Sequence, residues 1–262
     1  MSEPRPYALI TGGTSGIGLG IAQILIKDYD LALVFAKNQE KATASLQLLK
    51  NKAETLGLQN FKIELFQKEL YGSADVQEVY KDILQKFDKP ASVLVNSAGQ
   101  LRDGLFLDSD FSQHEKLIQE HLLVSMAFCH SVIKGMYKNK FGRIINISSI
   151  SSFFSKRGQS NYAAAKAGLE AFTRTLALEV AHRGVTVNAI APGLFETPMT
   201  QDFVQKLEES GNSIRKRIPV GRLGDPQEIG HLVSFLCSQQ ASYITGVTIP
   251  IDGGRSLGDV SL

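Results

Sequence analysis

The chain has 262 residues, with 28 Lys and Arg against 26 Asp and Glu, so its formal net charge is +2. Hydrophobic residues make up 43% and charged residues 21%, a composition that excludes a disordered or collagen-like chain. This length suffices to bury a full core without disulfides or metals. The small net charge gives no overall attraction to nucleic acid or to an anionic membrane, and we expect neither as a partner.

The segment before the first predicted strand, residues 1–6, is short and polar, so we expect no signal or transit peptide. No apolar stretch approaches the roughly 20 residues that a membrane span needs. Cys129 and Cys237 lie in apolar segments and show neither disulfide nor metal-ligand spacing. We therefore predict buried free thiols, no metal site and a reducing, cytoplasmic location.

Short β-rich runs alternate with longer segments in which apolar residues recur at helical spacing, as from Val76 to Phe87 and from Leu169 to Val180. This alternation predicts right-handed crossovers and a parallel sheet. We predict a single domain over 1–262 with an α/β, doubly wound, Rossmann-type fold: a seven-stranded parallel sheet with helices on both faces. The predicted strands are Tyr7–Thr11, Leu31–Ala36, Phe61–Phe66, Ser92–Val95, Arg143–Ile147, Val185–Ile190 and Val247–Ile249.

The first predicted strand runs into a glycine-rich loop and then into an apolar helix. Glycines let the backbone approach a pyrophosphate, and a helix N-terminus offers it free N–H groups. The spacing Gly12…Gly16…Gly18 differs from G-x-G-x-x-G, but its position between strand and helix favours a dinucleotide site over an ordinary tight turn. The predicted phosphate-binding residues are Gly12, Thr14, Ser15, Gly16, Ile17 and Gly18.

The second predicted strand ends in Ala36-Lys37-Asn38, where an NAD site normally carries an acidic residue for the ribose 2′-hydroxyl. The Lys37 ammonium would attract a 2′-phosphate instead. We therefore predict NADP(H) rather than NAD(H) as the cofactor, with Lys37 as a ligand. The alternative is that Lys37 is a solvated charge at a strand end.

Three polar side chains further along the chain form a candidate catalytic set. Tyr162 and Lys166 lie one turn apart on a predicted helix, and Ser149 ends the strand that precedes it. The Lys166 ammonium is expected to stabilise a Tyr162 phenolate and to lower its pKa, and the Ser149 hydroxyl could bind a substrate carbonyl. An exposed helix pair is the alternative for Tyr162 and Lys166.

The segment 193–224 departs from the strand–helix rhythm and contains the amphipathic stretch Phe203-Val204-Leu207 between Gly and Pro breaks. An insertion above the strand ends would make a small substrate lid. A plain surface excursion is the alternative.

Taken together, these motifs resemble the short-chain dehydrogenase/reductase family over essentially the whole chain. The chain looks most like the 3-oxoacyl-[acyl-carrier-protein] reductases within that family. The resemblance implies that Tyr162 donates the proton in ketone reduction, that Ser149 polarises the carbonyl, and that Lys166 binds the ribose and tunes Tyr162. It also implies cofactor contacts at Asn96, Ala98, Gly99, Pro192, Gly193 and Thr197, and a C-terminal turn, Ile251 to Gly254, that often belongs to a tetramer interface.

Two positions depart from the family pattern. Glu69 precedes Leu70 where many members have an Asp before Val for an adenine contact. His121 stands where the family usually carries the Asn of a Ser–Tyr–Lys–Asn proton relay. His121 could still hydrogen-bond and titrate near neutrality, or it could be a packed helix residue without a relay role.

On the substrate side, the stretch 100–105 resembles the Arg-Asp-Asn-Leu stretch of acyl-carrier-protein reductases. Lys140 and Arg183 match basic residues that dock the acidic carrier, and solvated surface charge is the alternative for both. The resemblance implies an NADPH-dependent homotetramer that reduces a 3-oxoacyl thioester, on acyl carrier protein or CoA, in fatty acid synthesis. The alternatives are a reductase or dehydrogenase of another ketone or alcohol (a sugar, a steroid, acetoacetyl-CoA) and a non-catalytic NADP-binding subunit.

Overall fold

The computed structural model describes residues 5–100, 103–210 and 213–258. Within these ranges the strands are β1 Tyr7–Thr11, β2 Asp30–Phe35, β3 Ile63–Gln67, β4 Val93–Asn96, β5 Gly142–Ile147, β6 Val185–Pro192 and β7 Thr248–Ile251. They form one parallel sheet with the strand order β3-β2-β1-β4-β5-β6-β7. This order confirms the predicted seven-stranded, doubly wound sheet.

Helices cover both faces of the sheet because both faces of its strands are apolar. On β1, Leu9 belongs to one buried hydrophobic cluster and its neighbour Ile10 to the other, as alternation along a strand requires. The helices are α1 Gly16–Leu25, α2 Gln39–Thr55, α3 Ser73–Phe87, α4 Phe111–Ile118, α5 Val124–Asn139, α6 Ser160–Val180, α7 Pro198–Glu209 and α8 Pro226–Cys237. The first cluster includes residues of α3, α5 and α6, and the second includes residues of α1, α2 and α8.

The ends of several predicted strands are wrong by one or two residues. The strand β6 continues past Ile190 to Pro192, because Ala191 and Pro192 pair with residues of β7. The edge strand β3 begins at Ile63 rather than Phe61, because its first partner across the ladder is Leu31. Strand ends depend on which neighbour is available for pairing, and that neighbour is distant in sequence.

The topological switch point of the sheet lies at β1, which pairs with β2 on one side and with β4 on the other. The crevice outside the carboxyl ends of such strands is where doubly wound folds bind their ligands. The backbone N–H of Gly12 donates to the Val34 carbonyl at 2.8 Å, so the glycine loop begins in this crevice. Because β5 lies next to β4, the end of β5 reaches the same edge.

The segment 193–224 has a small core of its own. Buried Ile214, Ile218 and Leu223 pack with partly buried side chains that include Val204 and Leu207 of α7. Its two ends meet, because Glu196 donates its N–H to the Gly224 carbonyl at 2.9 Å. The amphipathic stretch Phe203-Val204-Leu207 is therefore helical, and its apolar side packs against this small core.

Candidate active site

The glycine loop is shaped by close backbone approaches. Gly12 has a φ of +67°, and a Cβ at Gly18 would lie 2.8 Å from the Gly12 carbonyl carbon. The Ser45 hydroxyl of α2 donates to the Thr14 carbonyl at 2.7 Å, which fixes the outer side of the loop. Ser15 is the N-cap residue of α1, so the first N–H groups of this helix point into the crevice.

The loop after β4 is tied to the glycine loop. The Thr11 hydroxyl accepts the N–H groups of Ser97 and Ala98, each at 3.0 Å. The Asn96 side chain is buried and donates to Asn146 Oδ1 at 2.8 Å, so it joins β4 to β5. The structure thus places Asn96 in the core, and Ala98 with Gly99 at the edge of the crevice.

Lys37 follows β2 at the carboxyl edge, and its ammonium is engaged. It forms a 3.0 Å ion pair with Glu69, which also accepts the hydroxyl of Tyr71. These hydrogen bonds, first from Tyr71 and then from Lys37, lower the pKa of Glu69, and the bond to Glu69 raises the pKa of Lys37. The Lys37 side chain is exposed, so this is a surface ion pair, and Glu69 takes the place that an anionic ligand of Lys37 would need.

Ser149 follows β5 and begins a 3₁₀ turn over Ile150–Ser152, where its hydroxyl accepts the Ser151 N–H at 3.1 Å. Tyr162 lies in the first turn of α6, and a hydrogen bond with Ser149 favours its phenolate. Burial nevertheless raises the pKa of Tyr162 to about 12, and the charge of Asp103 adds to this. The expectation that this pKa is lowered is wrong for this structure, because burial outweighs every other influence.

Lys166 is buried one turn beyond Tyr162. Its ammonium donates to the Ile147 carbonyl at 2.7 Å and lies 5.6 Å from the centre of the Tyr162 ring. Burial lowers the pKa of Lys166 to about 8, although the nearby Glu170 carboxylate acts in the opposite direction. The lysine thus changes charge close to physiological pH.

His121 is part of the wall of this site. It lies in a π-helical turn, Gln119–Leu123, between α4 and α5, and turns of this kind often occur at functional sites. Its ring packs edge-on against Tyr162, and its Nε2 lies 2.8 Å from the Gln100 carbonyl oxygen. A Cβ at Gly99 would lie 2.6 Å from His121 Nδ1, so the imidazole fills the space beside this glycine.

The remaining predicted cofactor residues lie where β6 meets the segment 193–224. Pro192 is the last residue of β6, and a Cβ at Gly193 would lie 2.7 Å from Asp252 Cβ, so the two chain segments are in contact. Thr197 is the N-cap residue of α7, and its side chain would lie 3.4 Å from a Cβ at Gly16. The segment therefore begins directly beside the glycine loop.

The proposed carrier-docking residues lie elsewhere. Lys140 and Arg183 precede β5 and β6, at the edge of the sheet opposite Ser149. The Arg183 guanidinium lies over the Tyr137 ring at 4.4 Å. In the predicted substrate stretch 100–105, Leu101 and Arg102 lie outside the described residues, whereas Asp103 accepts the Gln159 side-chain amide at 3.0 Å.

Sequence reasoning missed one buried carboxylate of the site, Glu170. It lies one turn beyond Lys166 on α6, and its Oε1 accepts the hydroxyls of Ser148 and Ser152. The sequence did carry a signal for Glu170: it follows Lys166 by four residues, as Lys166 follows Tyr162, so all three lie on one face of the helix.

Cys129 and Cys237 are buried and free, as predicted, and burial raises the pKa of each thiol to about 12. Among the described residues, His, Cys, Asp and Glu form no group of three or more that could hold a metal ion. The helices found in these same ranges are all too short or too polar to cross a membrane.

A doubly wound sheet with a glycine loop at its switch point and Ser, Tyr and Lys at the same edge defines an α/β dinucleotide-binding fold. A family model described as "Enoyl-(Acyl carrier protein) reductase" matches residues 12–256. The chain is 36% identical over 247 residues to the 3-oxoacyl-[acyl-carrier-protein] reductase FabG of Aquifex aeolicus, covering 94% of this chain and 96% of that protein. The FabG proteins of Rickettsia conorii (38% identical, 94% and 95% covered) and Salmonella typhimurium (37% identical, 97% and 98% covered) are similar to it as well.

The chain therefore belongs to the short-chain dehydrogenase/reductase family. It is an oxidoreductase that acts on CH–OH and C=O groups with a nicotinamide cofactor. The family description names an enoyl reductase, whereas the relatives are 3-oxoacyl reductases.

Proposed function

We propose that this chain reduces the ketone of a 3-oxoacyl thioester, carried by acyl carrier protein or CoA, to the 3-hydroxyacyl form in fatty acid synthesis, with NADPH as the reductant. The observation that carries the proposal is the convergence of Ser149, Tyr162 and Lys166 at the carboxyl edge of the sheet, the edge from which the glycine loop also leaves β1. The names of the FabG relatives support the substrate class.

The crevice fits a dinucleotide cofactor. Gly12 and Gly18 leave the loop without side chains where a pyrophosphate would approach, and the N-terminus of α1 presents N–H groups there. Ala98 and Gly99 border the adenosine side of the crevice, and the nicotinamide side is the junction of β6 with the segment 193–224. The remaining residues proposed to hold the cofactor are Thr14, Ser15, Gly16, Ile17, Pro192, Gly193 and Thr197.

The chain's own residues supply the proton chemistry. The Ser149 hydroxyl binds the ketone oxygen and so polarises the carbonyl. Because the pKa of Tyr162 is about 12, its phenol is protonated at neutral pH and donates a proton to the developing alkoxide. The ammonium of Lys166, oriented by the Ile147 carbonyl, then stabilises the phenolate that remains. The reduced nicotinamide, when bound, supplies the hydride.

The preference for NADPH rests on Lys37. Its ammonium lies at the end of β2, the place from which the ribose of a dinucleotide is recognised. A 2′-phosphate would replace the Glu69 carboxylate as the partner of Lys37. Lys37 would then be paired with a more highly charged anion than the carboxylate. A second cation, Lys41, lines the cavity of about 550 Å³ beside Ser15, together with the carboxylates of Glu196 and Asp225.

His121 is proposed to take the place of the asparagine of the family's proton relay. Its ring touches the Tyr162 ring, and its Nε2 reaches the Gln100 carbonyl, so a polar group stands between the phenol and the loop after β4. Its burial beside Gly99 also supports a packing role, and variants at position 121 separate the two roles.

The segment 193–224 is proposed to close over the acyl chain as a lid. The ammonium of Lys156 lies 4.9 Å from the centre of the Phe203 ring on α7 and 3.2 Å from the Asp103 carboxylate. These contacts connect the lid helix with two loops that border the site.

Carrier docking at Lys140 and Arg183 has a geometric consequence. The two residues lie at the amino ends of β5 and β6, and six residues of β5 span about 20 Å before Ser149 is reached. A carrier bound there would need an arm of about that length, or would have to deliver its substrate to a neighbouring subunit. The proposed homotetramer provides such a neighbour, and the free buried thiols are consistent with the proposed cytoplasmic location.

The decisive experiment measures oxidation of NADPH, and separately of NADH, by the wild-type chain with acetoacetyl-acyl carrier protein, acetoacetyl-CoA and a panel of small ketones. We expect the fastest turnover with an acetoacetyl thioester, and a loss of turnover in Tyr162→Phe with cofactor binding retained. Turnover of a sugar or steroid ketone alone would replace the proposed substrate. Binding of NADPH without turnover of any ketone would instead indicate a non-catalytic NADP-binding subunit.

A further inference from the structure

The carboxylate of Glu170 is an unusual group for the interior of this fold. Glu170 lies on α6 one turn beyond Lys166 and is only 9% exposed. A buried carboxylate is costly unless hydrogen bonds and an opposite charge compensate for its lost hydration. Its Oε1 accepts the Ser148 hydroxyl and the Ser152 hydroxyl, each at 2.6 Å.

These two serines lie on either side of Ser149. Ser148 is fixed to the sheet, because its N–H donates to the Ile190 carbonyl of β6 at 2.7 Å. The Ser152 hydroxyl lies 2.8 Å from the Ser149 carbonyl oxygen as well as 2.6 Å from Glu170. One carboxylate oxygen therefore ties both ends of the turn that carries Ser149 to the helix that carries Tyr162 and Lys166.

The same carboxylate lies one helical turn from Lys166, and its charge acts on that lysine. Lys166 is surrounded by Tyr162 and Glu170 on its own helix and by the Ile147 carbonyl on β5. Two further groups act on Tyr162: the charge of Asp103, from the loop after β4, and the ring of His121, from the π-helical turn. Glu170 is the negative charge that opposes the effect of burial on the pKa of Lys166.

We propose that Glu170 is a positioning residue for this active site: it fixes the turn of Ser149 against α6 through Ser148 and Ser152, and it serves as the counter-charge of the Lys166 ammonium. The inference rests on the proposed roles of Ser149 and Lys166. The Glu170 carboxylate thus has two separable effects. Its oxygen accepts the hydrogen bonds of two serines, and its negative charge acts on Lys166.

Two substitutions separate these effects. Glu170→Gln keeps an oxygen for the two serine hydroxyls and removes the charge. We expect its kcat near pH 6 to stay within about threefold of the wild type, well below the order of 10²-fold that misplacement of a reacting group costs. We also expect the alkaline fall of its kcat/KM for NADPH to move to lower pH. Glu170→Leu removes both functions and is expected to lower kcat by on the order of 10²-fold at every pH.

A third variant keeps the experiment decisive if Glu170→Leu fails to fold. Ser148→Ala combined with Ser152→Ala removes the donors and leaves the charge, so kcat should fall without a shift of the alkaline limb to lower pH. Glu179→Gln removes an exposed carboxylate from the same helix and is the matched control, with an unchanged profile. The proposal is overturned if Glu170→Gln keeps the wild-type pH profile, or if the double serine variant keeps the wild-type kcat.

A second readout does not depend on turnover. The Lys166 Cε chemical shift, followed by NMR in lysine-labelled protein and assigned with Lys166→Met, reports the charge of this lysine directly. The midpoint of its titration should be lower in Glu170→Gln than in the wild type. If the wild type reduces no ketone, the proposed function fails, whereas an unchanged midpoint overturns the role of Glu170 by itself.

Discussion

The imidazole of His121 meets the phenol of Tyr162 edge to face, with ring centres 5.2 Å apart and ring planes inclined at 86°. Behind it, the backbone of Gly99 leaves no space for a side chain, because a Cβ there would lie 2.6 Å from His121 Nδ1. The imidazole is therefore held between the loop after β4 and the proposed proton donor. This contact brings together residues from three separate parts of the chain.

Replacement of His121 tests whether a polar group is needed beside Tyr162. His121→Asn keeps hydrogen-bonding capacity toward the Gln100 carbonyl, and we expect kcat within about tenfold of the wild type, whereas His121→Leu should lose about 10²-fold, as for a lost proton-transfer partner. Steady-state rates and pH profiles of both variants provide the measurement. Wild-type rates in both would reduce His121 to a packing residue.

Gly99→Ala tests the steric contact on the other side of the ring. The added Cβ would overlap the imidazole, and we expect a loss of about 1–3 kcal/mol in the free energy of unfolding. In a His121→Asn background the shorter side chain leaves room for the methyl group, so the loss should shrink by about 0.5–3 kcal/mol. Urea unfolding of the four proteins measures this coupling, and simple additivity would contradict the contact.

The ion pair of Lys37 and Glu69 predicts opposite effects of two substitutions on cofactor choice. Lys37→Ala should raise the KM for NADPH by about tenfold and change the KM for NADH little, because one phosphate contact is lost. Glu69→Gln should lower the KM for NADPH, because Lys37 no longer exchanges a carboxylate for the phosphate. Lys50→Ala, at an exposed position on α2, is the control. An NADH preference in the wild type would show that Lys37 has no part in cofactor choice.

The ionisation of Lys166 predicts the pH dependence of reduction. Its pKa is lowered to about 8, so it is cationic below that pH and loses its charge as the pH rises through it. Tyr162, with a pKa of about 12, stays protonated throughout this range. We expect kcat/KM for NADPH, which reports the free enzyme, to be level near pH 6 and to fall by about tenfold per pH unit above pH 8. A profile that is flat to pH 10 would contradict the assignment.

Carrier docking can be tested by charge reversal at two surface positions. Lys140 has a left-handed backbone conformation (φ +52°), which Asp tolerates better than most residues, so Lys140→Asp combined with Arg183→Glu is the suitable pair. We expect the KM for acetoacetyl-acyl carrier protein to rise by about tenfold or more, because like charges oppose association with an acidic carrier. The KM for acetoacetyl-CoA is the internal control. Equal changes with both substrates would refute docking at this edge.

The parts of the fold that sequence reasoning predicted correctly are those written in contiguous residues. The strand β1 and the glycine loop follow one another directly in the sequence. The apolar residues between Val76 and Phe87 recur at helical spacing, which places them on one face of α3. Tyr162 and Lys166 share a helix face for the same reason. Each of these patterns lies within a single helix or a single strand with the loop that follows it. The periodicity of the backbone therefore suffices to predict which side chains share a face.

Other features depend on neighbours that are remote in sequence. The Asn96 side chain bonds to Asn146 in the adjacent strand, which no pattern around position 96 reveals. Lys37 meets Glu69 only because β2 and β3 pair side by side. The ends of β6 and β3 were wrong for the same reason, because each is determined by the strand beside it.

The sequence by itself determined the class of this protein: its strand–helix alternation, the position of its glycine loop, and the Ser, Tyr and Lys of its candidate site. Only the tertiary structure decided the electrostatic state of that site. Burial raises the pKa of Tyr162 and lowers that of Lys166, and the carboxylate of Glu170 reaches Ser148 and Ser152 because α6 packs against the end of β5. Spacing along a chain specifies which groups share a face, whereas hydration and charge depend on everything packed around them.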